Sequence, residues 1–441
     1  MLGRLCGRAA AVVRARVGGR GTTQGVHVKG LIEGFYGPPW SWSDRLEVCR
    51  RLAEVGMDTY VYAPKDDPLH RAHWRTPYGA EELAAFERLA AEQPLRVGFT
   101  VSPGLSMDPD DAEDRAALLA KFTPLLERGV SLVGVLFDDL EPADGLGAAH
   151  GRVTAWLAEQ LPDHVELFMV PLHYTGVHAP PYLQELVELV PEHVAIGWTG
   201  PFVVNDVITA QHARDWSTAM GGRRPLLWDN TPVNDAVMST QLFTGPLRGR
   251  DPELPAELSG YLANPMVQAR ASVPALVSAA AWWRGDDPVA AWETALGTDR
   301  VLLEGCDGAV PELLAAAALG GDTTALAELE AWFGAAEQVE AGGLGDEVQP
   351  WVDRLRLEAT VGKVACQVLR AEPDEAAQVA PVLLVLWPVQ GGAHQVLGGR
   401  GSLVPALGQD ERSHWIASRG SWRPGARLVD RLVEAAFARL V

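Results

Sequence analysis

The sequence predicts an α/β protein: a TIM (β/α)8 barrel followed by a smaller α-helical C-terminal domain. Three observations lead there. Short β-like runs alternate with helical patterns from residue 26 to about residue 285. Eight such pairs fit into that span, the repeat number and size of a TIM barrel. After residue 288 the β-like runs give way to Ala- and Leu-rich segments of helical period. A doubly wound open sheet has the same alternation, but its Gly-rich phosphate loop does not follow the first strand here.

Taken in order, "VHVKGLIEG" (26–34) is the first strand and "SDRLEVCRRLAEVG" (43–56) the first helix, with Leu46, Cys49, Leu52 and Ala53 at helical spacing. Asp44 and Glu47 are expected to form a capping box, and Gly56 to stop the helix. "TYVYAPK" (59–65) precedes a helix near 80–92, and "LRVGFTVSPG" (95–104) one near 110–128. "SLVGVLFDD" (131–139) precedes a helix near 148–160, "HVELFMVPLHY" (164–174) one near 181–190, and "HVAIGWTG" (193–200) one near 206–220. "RPLLWDN" (224–230) leads into a less regular stretch, and "SGYLANP" (259–265) into a helix near 266–283, whose Trp282-Trp283 pair is expected to pack the barrel against the helical region. That region has Gly-rich breaks at 342–345 and 391–402, and its "VLLVLW" run (382–387) fits a buried segment. We read it as a structural buttress. The expected organisation is therefore a disordered Arg-rich arm (1–25), a catalytic barrel (26–287) and a helical region (288–441).

Composition narrows the function classes. A net charge of −20 disfavours nucleic acid and anionic lipid as partners. No apolar run approaches the roughly 20 residues of a membrane span. Cys6, Cys49, Cys306 and Cys366 lie far apart without metal or redox spacing, so no metal, cofactor or disulfide framework is expected. The apolar centre of the first 24 residues, "AAAVV", is too short for a secretory signal, and a cytoplasmic location is the expectation.

A TIM barrel carries its chemistry at the C-terminal ends of the strands. Those ends read Glu33-Gly34-Phe35-Tyr36-Gly37, Lys65-Asp66-Asp67, Ser102-Pro103-Gly104, Asp138-Asp139, His173-Tyr174, Trp198-Thr199-Gly200, Trp228-Asp229-Asn230 and Asn264-Pro265. Aromatic plates beside carboxylates and amides suit a sugar, whose ring has an apolar face and paired hydroxyls. Adjacent Asp138 and Asp139 point to opposite faces of a straight strand, so both reach one ligand only where the strand curls. Two consecutive carboxylates fit a sugar whose 2-acetamido oxygen is its own nucleophile: one protonates the leaving oxygen and the other orients the amide. Mutual repulsion is expected to raise one of their pKa values. Two further readings stand beside this one, a catalytically inactive sugar-binding barrel and a metal-dependent enzyme with Asp66, Asp67, Asp138 and Asp139 as oxygen ligands. His70 and His73 have i, i+3 spacing but lack further ligands, while Asp66 and Asp67 are expected to brace their loop.

The motifs "GLIEGFYGPPWSWSDRL", "YVYAPKDDPLHRAHWRTPY", "VSPGLSM", "LFDDLEP", "WTGP", "WDNTPVND" and "ANP", in this order, resemble the catalytic domain of glycoside hydrolase family 84, the retaining β-N-acetylglucosaminidases. The resemblance covers about residues 28–285. It implies that Asp139 is the general acid/base and that Asp138 orients and polarises the acetamido group. It further implies that the Gly34 carbonyl and Lys65 meet sugar hydroxyls, and that Tyr174 bonds near the acetamido oxygen. Asn230 and Asp235 would hold outer hydroxyls, Asn264 the acetamido end, and Thr199 and Trp228 the pocket wall. The implied partner is an N-acetylglucosaminide, glycan or glycoprotein. The chain departs from the family at Pro171-Leu172-His173-Tyr174, where the usual run is Pro-Thr-Glu-Tyr.

Overall fold

The structure, a computed structural model, describes residues 28–386, 394–397, 407–409, 415–417 and 428–439. The expected N-terminal arm and most of the second Gly-rich break lie outside these residues. Eight parallel strands close into a barrel in sequence order: β1 (Lys29–Glu33), β2 (Thr59–Tyr62), β3 (Arg96–Val101), β4 (Leu132–Leu136), β5 (Glu166–Val170), β6 (Ala195–Trp198), β7 (Leu226–Asp229) and β8 (Gly260–Ala263). The ring closes where Lys29, Gly30 and Leu31 of β1 pair with Tyr261, Leu262 and Ala263 of β8. Around it run α1 (Trp42–Glu54), α2 (Ala80–Glu92), α3 (Ala112–Leu126), α4 (Leu146–Gln160), α5 (Pro181–Leu189), α6 (Ala210–Ala219) and α7 (Ala269–Arg284). Every predicted strand and helix of the barrel is present.

Two corrections concern local chemistry. The cap of α1 is Ser41, whose hydroxyl accepts from the Asp44 amide, so Asp44 and Glu47 form no capping box. Glu47 instead lies 3.3 Å from Arg270. At the other end Gly56 stops the helix as expected: its φ is 80°, and its amide and that of Met57 close back on Ala53 and Leu52. Trp282 and Trp283 both face Tyr261 of β8, with ring centres 5.3 and 5.7 Å away. They therefore pack α7 onto the barrel rather than the barrel onto the helical region.

Alternation along the strands divides the core in two. Ile32, Val61, Leu132, Leu136, Phe168, Val170, Leu226 and Leu262 fill the barrel interior. Leu31, Tyr60, Phe99, Val133, Val135, Met169, Leu227 and Tyr261 face the helices. Polar residues in the outward series receive charged partners. Glu33 is fully buried and accepts from Arg45 of α1 through both oxygens at 2.8 Å, from the Trp40 amide at 2.9 Å, and from the Tyr60 hydroxyl. Asp229 is held likewise by Arg250, at 2.7 and 2.9 Å.

Beyond the barrel come α8 (Pro288–Ala295), α9 (Arg300–Asp307), α10 (Ala309–Leu319), α11 (Thr323–Ala336), α12 (Gln349–Arg370), α13 (Pro373–Val379), α14 (Pro381–Leu386) and α15 (Leu428–Ala438). A short antiparallel pair, β9 (Leu407–Gln409) with β10 (Trp415–Ala417), interrupts this helical region. Three-residue strands leave too little period to read in a sequence. Leu242, Met266 and Ala271 from the barrel side share a core with Trp292, Leu303 and Trp351. Among the described residues no helix is long and apolar enough to cross a membrane.

Removing Glu33 would leave the Arg45 charge buried without a partner. Glu33→Ala is expected to lower the unfolding free energy by about 3–5 kcal/mol in urea denaturation, whereas a Glu33→Leu, Arg45→Met double substitution costs far less. Equal losses in both would show that the ion pair itself is not what the fold relies on.

Candidate active site

The inward series runs past the C-terminal ends of the strands into a cavity of about 300 Å³. Lys65 continues the parity of Val61 and Ala63, Asp138 that of Leu132 and Leu136, and Asn230 that of Leu226 and Trp228. Gly34, Tyr174, Thr199 and Asn264 reach the cavity by the same rule. All ten residues singled out in the sequence line this one cavity: Gly34, Lys65, Asp138, Asp139, Tyr174, Thr199, Trp228, Asn230, Asp235 and Asn264.

Asp139 breaks the rule. Val133, Val135 and Phe137 of its parity face the helices, so a straight continuation would bury it there. Its φ of 57° is left-handed, a conformation Asp tolerates better than most residues. That turn swings the side chain back over the barrel mouth beside Asp138. The curl anticipated from the adjacent aspartates is thus a single residue.

The two carboxylates live differently. Asp138 Oδ2 is paired with the buried Lys65 ammonium, while its buried Oδ1 has no partner among the described residues. Asp139 Oδ1 accepts from the Tyr174 hydroxyl at 2.8 Å, and Oδ2 from the Tyr36 hydroxyl at 2.7 Å. Burial pushes the Asp139 carboxyl up, but Lys65, the two hydroxyls and Arg71 together outweigh it and hold the group below the ordinary carboxylate value. The rise expected from the neighbouring carboxylate is therefore overturned for the residue cast as the acid: fixed donors and cations surround it more closely than the repulsion does. Asp235, by contrast, is raised, chiefly by burial.

One amide network ties β7, β8 and β1 together. Asn230 Oδ1 accepts from Trp228 Nε1 at 3.0 Å and from Asn264 Nδ2 at 2.9 Å, and Asn264 Oδ1 accepts from the Gly34 amide at 3.1 Å. Asp235 accepts from the Tyr36 amide at 2.8 Å. A side chain at residue 34 would strike the Trp228 indole, whose Cζ2 lies 2.1 Å from where its Cβ would be. Lys65 Nζ stands 5.8 Å from the centre of the same ring.

Several sequence-level candidates lie elsewhere. Glu33 and Asp229 are the buried outward anions described above. Asp66 accepts from the Gly37 amide at 2.9 Å, and Asp67 from the Tyr62 and Tyr78 hydroxyls at 2.8 and 2.6 Å, so both brace their loop. The four aspartates considered as metal ligands are not gathered into one cluster; among the described residues no group of three or more His, Cys, Asp or Glu has that arrangement. His70 is buried with Nε2 2.7 Å from Thr100 Oγ1. His173, the departure from the family run, packs against Tyr182 with ring centres 5.4 Å apart and does not line the cavity, whereas Tyr174 does. Sequence reasoning assigned no role to Tyr36, although the "EGFYG" motif contains it, nor to the apolar wall of Val203, Val204, Val233, Val237 and Met238.

Comparison with known proteins gives the family. A model of the beta-N-acetylglucosaminidase family matches residues 29–300. The chain belongs to that family. It is 32% identical over 296 residues to the protein O-GlcNAcase of Mus musculus, covering 63% of this chain and 32% of that one. The protein O-GlcNAcase of Rattus norvegicus is 31% identical over 275 residues, covering 58% and 30%. The match therefore spans about a third of either relative. A solved mutant of the Thermobaculum terrenum O-GlcNAc hydrolase superposes with a TM-score of 0.75 at 24% identity, covering 94% of each chain, a likeness of fold.

A carboxyl whose folded pKa lies below its unfolded value stabilises the fold above the unfolded value, and loses that contribution as pH falls through the folded one. The stability difference between the parent chain and Asp139→Asn is expected to stay level from neutral pH down to the ordinary value of 3.8 and to shrink below it. Urea unfolding at stepped pH measures this. A difference that ignores pH down to about 3 would contradict the assigned electrostatics.

Proposed function

We propose that the chain hydrolyses terminal β-linked N-acetylglucosamine with retention, using the 2-acetamido oxygen of the substrate as the nucleophile. The observation that carries this is the shared placement of Asp138 and Asp139 in one cavity, with the buried Asp138 Oδ1 left without a donor among the described residues. An amide N–H is a donor of the right kind for it. Adjacent residues do not flank a bond from opposite sides, as the acid and nucleophile of an ordinary retaining glycosidase must.

In the first step the acetamido oxygen attacks C1, the glycosidic C1–O bond breaks, and Asp139 delivers its proton to the departing oxygen. Asp138, steadied by Lys65, accepts the amide N–H and stabilises the positive charge that grows on the forming ring. In the second step water attacks C1, Asp139 takes a proton from it, and the ring opens to restore the acetamide. Two inversions at C1 give net retention. The volume of about 300 Å³ sits at the lower end for small-ligand sites, room for one sugar unit. Trp228 offers an apolar face, and Asn230, Asp235 and the Gly34 carbonyl offer groups for hydroxyls. Substrates are N-acetylglucosaminides, of glycans or of glycoproteins as in the O-GlcNAcases the chain resembles.

Asp139→Asn is expected to lose ~10²–10⁴-fold in kcat/KM on glycosides with poor leaving groups and much less in kcat/KM on activated aryl glycosides, whose departure needs no acid. Asp138→Asn should impair both, because ring formation precedes any departure. Identical behaviour across a leaving-group series would overturn the division of roles. Equal turnover of glycosides with and without the 2-acetamido group would overturn the nucleophile.

A further inference from the structure

Both oxygens of Asp139 are occupied by hydroxyl donors arriving from different strand ends, Tyr174 after β5 and Tyr36 after β1. A carboxylate has only acceptor lone pairs, so this arrangement fits the ionised form; a protonated acid would have to displace one donor. Tyr174 is buried, but Tyr36 is 38% exposed and packing alone does not fix its hydroxyl. Arg71 does. Its Nη1 donates to Tyr36 Oη at 3.0 Å, and its guanidinium carbon lies 5.7 Å from the centre of the tyrosine ring. The same Nη1 is 3.9 Å from Asp139 Oδ2, and Nη2 donates to the Asp139 main-chain oxygen at 3.4 Å. Arg71 thus grips the hydroxyl, the carboxylate and the carbonyl of the residue held at left-handed φ. It is buried and stands outside the cavity lining. Its own amide closes onto the Asp67 carbonyl, in the loop that Tyr62 and Tyr78 pin.

Building on the hydrolase reading above, we propose that Arg71 is a positioning residue for the second half of the reaction: through Tyr36 and the Asp139 main chain it presets Asp139 as the base that activates water. In that half the water oxygen bonds to C1, the C1–O bond of the cyclic intermediate breaks, and the water proton passes to Asp139. The carboxyl so formed is the acid of the next turnover. The charged and titratable groups facing Asp139 are Lys65 and Arg71 on the cationic side, Asp138 and Asp235 on the anionic side, and the Tyr36 and Tyr174 hydroxyls. Lys65 is committed to Asp138, which leaves Arg71 as the cation whose removal isolates the effect.

The test is the pH profile of kcat on an N-acetyl-β-glucosaminide with a good leaving group, for which ring opening is the slow step. Turnover by the parent chain, measured first, reports on the hydrolase reading alone. Arg71→Gln is expected to move the acid limb of kcat upward by about one unit and to lower kcat about tenfold at neutral pH, with KM changed less than about twofold. Arg71→Lys should restore most of the limb, and Tyr36→Phe should move it the same way as Arg71→Gln. NMR titration of the Asp139 carboxyl in the ligand-free protein gives the same shift without relying on activity. A limb and a titration that coincide with the parent in both Arg71→Gln and Tyr36→Phe would overturn the proposal. Should Arg71→Gln fail to fold, the Tyr36→Phe and Arg71→Lys pair decides by the same criterion.

Discussion

Strict alternation of side chains along eight parallel strands is the constraint on which this molecule rests. A closed barrel gives every residue of a strand one of two environments, the filled interior or the layer under the helices. Inward positions such as Ile32, Val61, Leu136, Leu226 and Leu262 are apolar, and past the strand ends the same parity gives Lys65, Asp138, Asn230 and Asn264, so the cavity is the polar continuation of the core. Outward positions have no such outlet. Glu33 and Asp229 remain buried there, and each has an arginine to neutralise it. The Glu33 pair also accepts from the Trp40 amide, which secures the loop that presents Gly34 and Tyr36.

Against that regularity a single backbone torsion at Asp139 does the work of a second strand. It allows neighbouring carboxylates to share a site while keeping their partners distinct: a lysine for one, two tyrosine hydroxyls and a more distant arginine for the other. The separation matters because two unshielded anions this close would force one to take up a proton. Here the surrounding donors absorb the repulsion, and Asp139 rests in its basic form.

The helical region contributes through the long connection between β7 and β8, which carries Asn230 and Asp235. Trp351 of α12 donates to the Thr240 carbonyl at 3.0 Å and Trp292 of α8 to the Thr244 carbonyl at 2.6 Å. Within the connection Asn234 donates to the Gln241 carbonyl at 2.7 Å, and beyond it to Gln268, just ahead of α7, at 2.8 Å. A connection this long would be costly to order by itself. Clamped from the helical side, it becomes a wall of the cavity.

The sequence by itself determined the barrel and the succession of its elements, because period-two and helical patterns survive in a linear text; the strand ends pointed to the adjacent aspartates, and the resemblance to the family singled out the other cavity residues. Ser41 displaced Asp44 as the cap because one residue of offset decides which side chain reaches the free amides. The tertiary structure alone decided the partners of Asp139, its ionisation and the contacts of Arg71 with it. Those depend on contacts between residues far apart in the chain: 35 positions for Tyr174 and Asp139, 68 for Arg71 and Asp139, and 103 for Tyr36 and Asp139. Electrostatic energy falls with separation in space, and no local pattern in the chain records that separation.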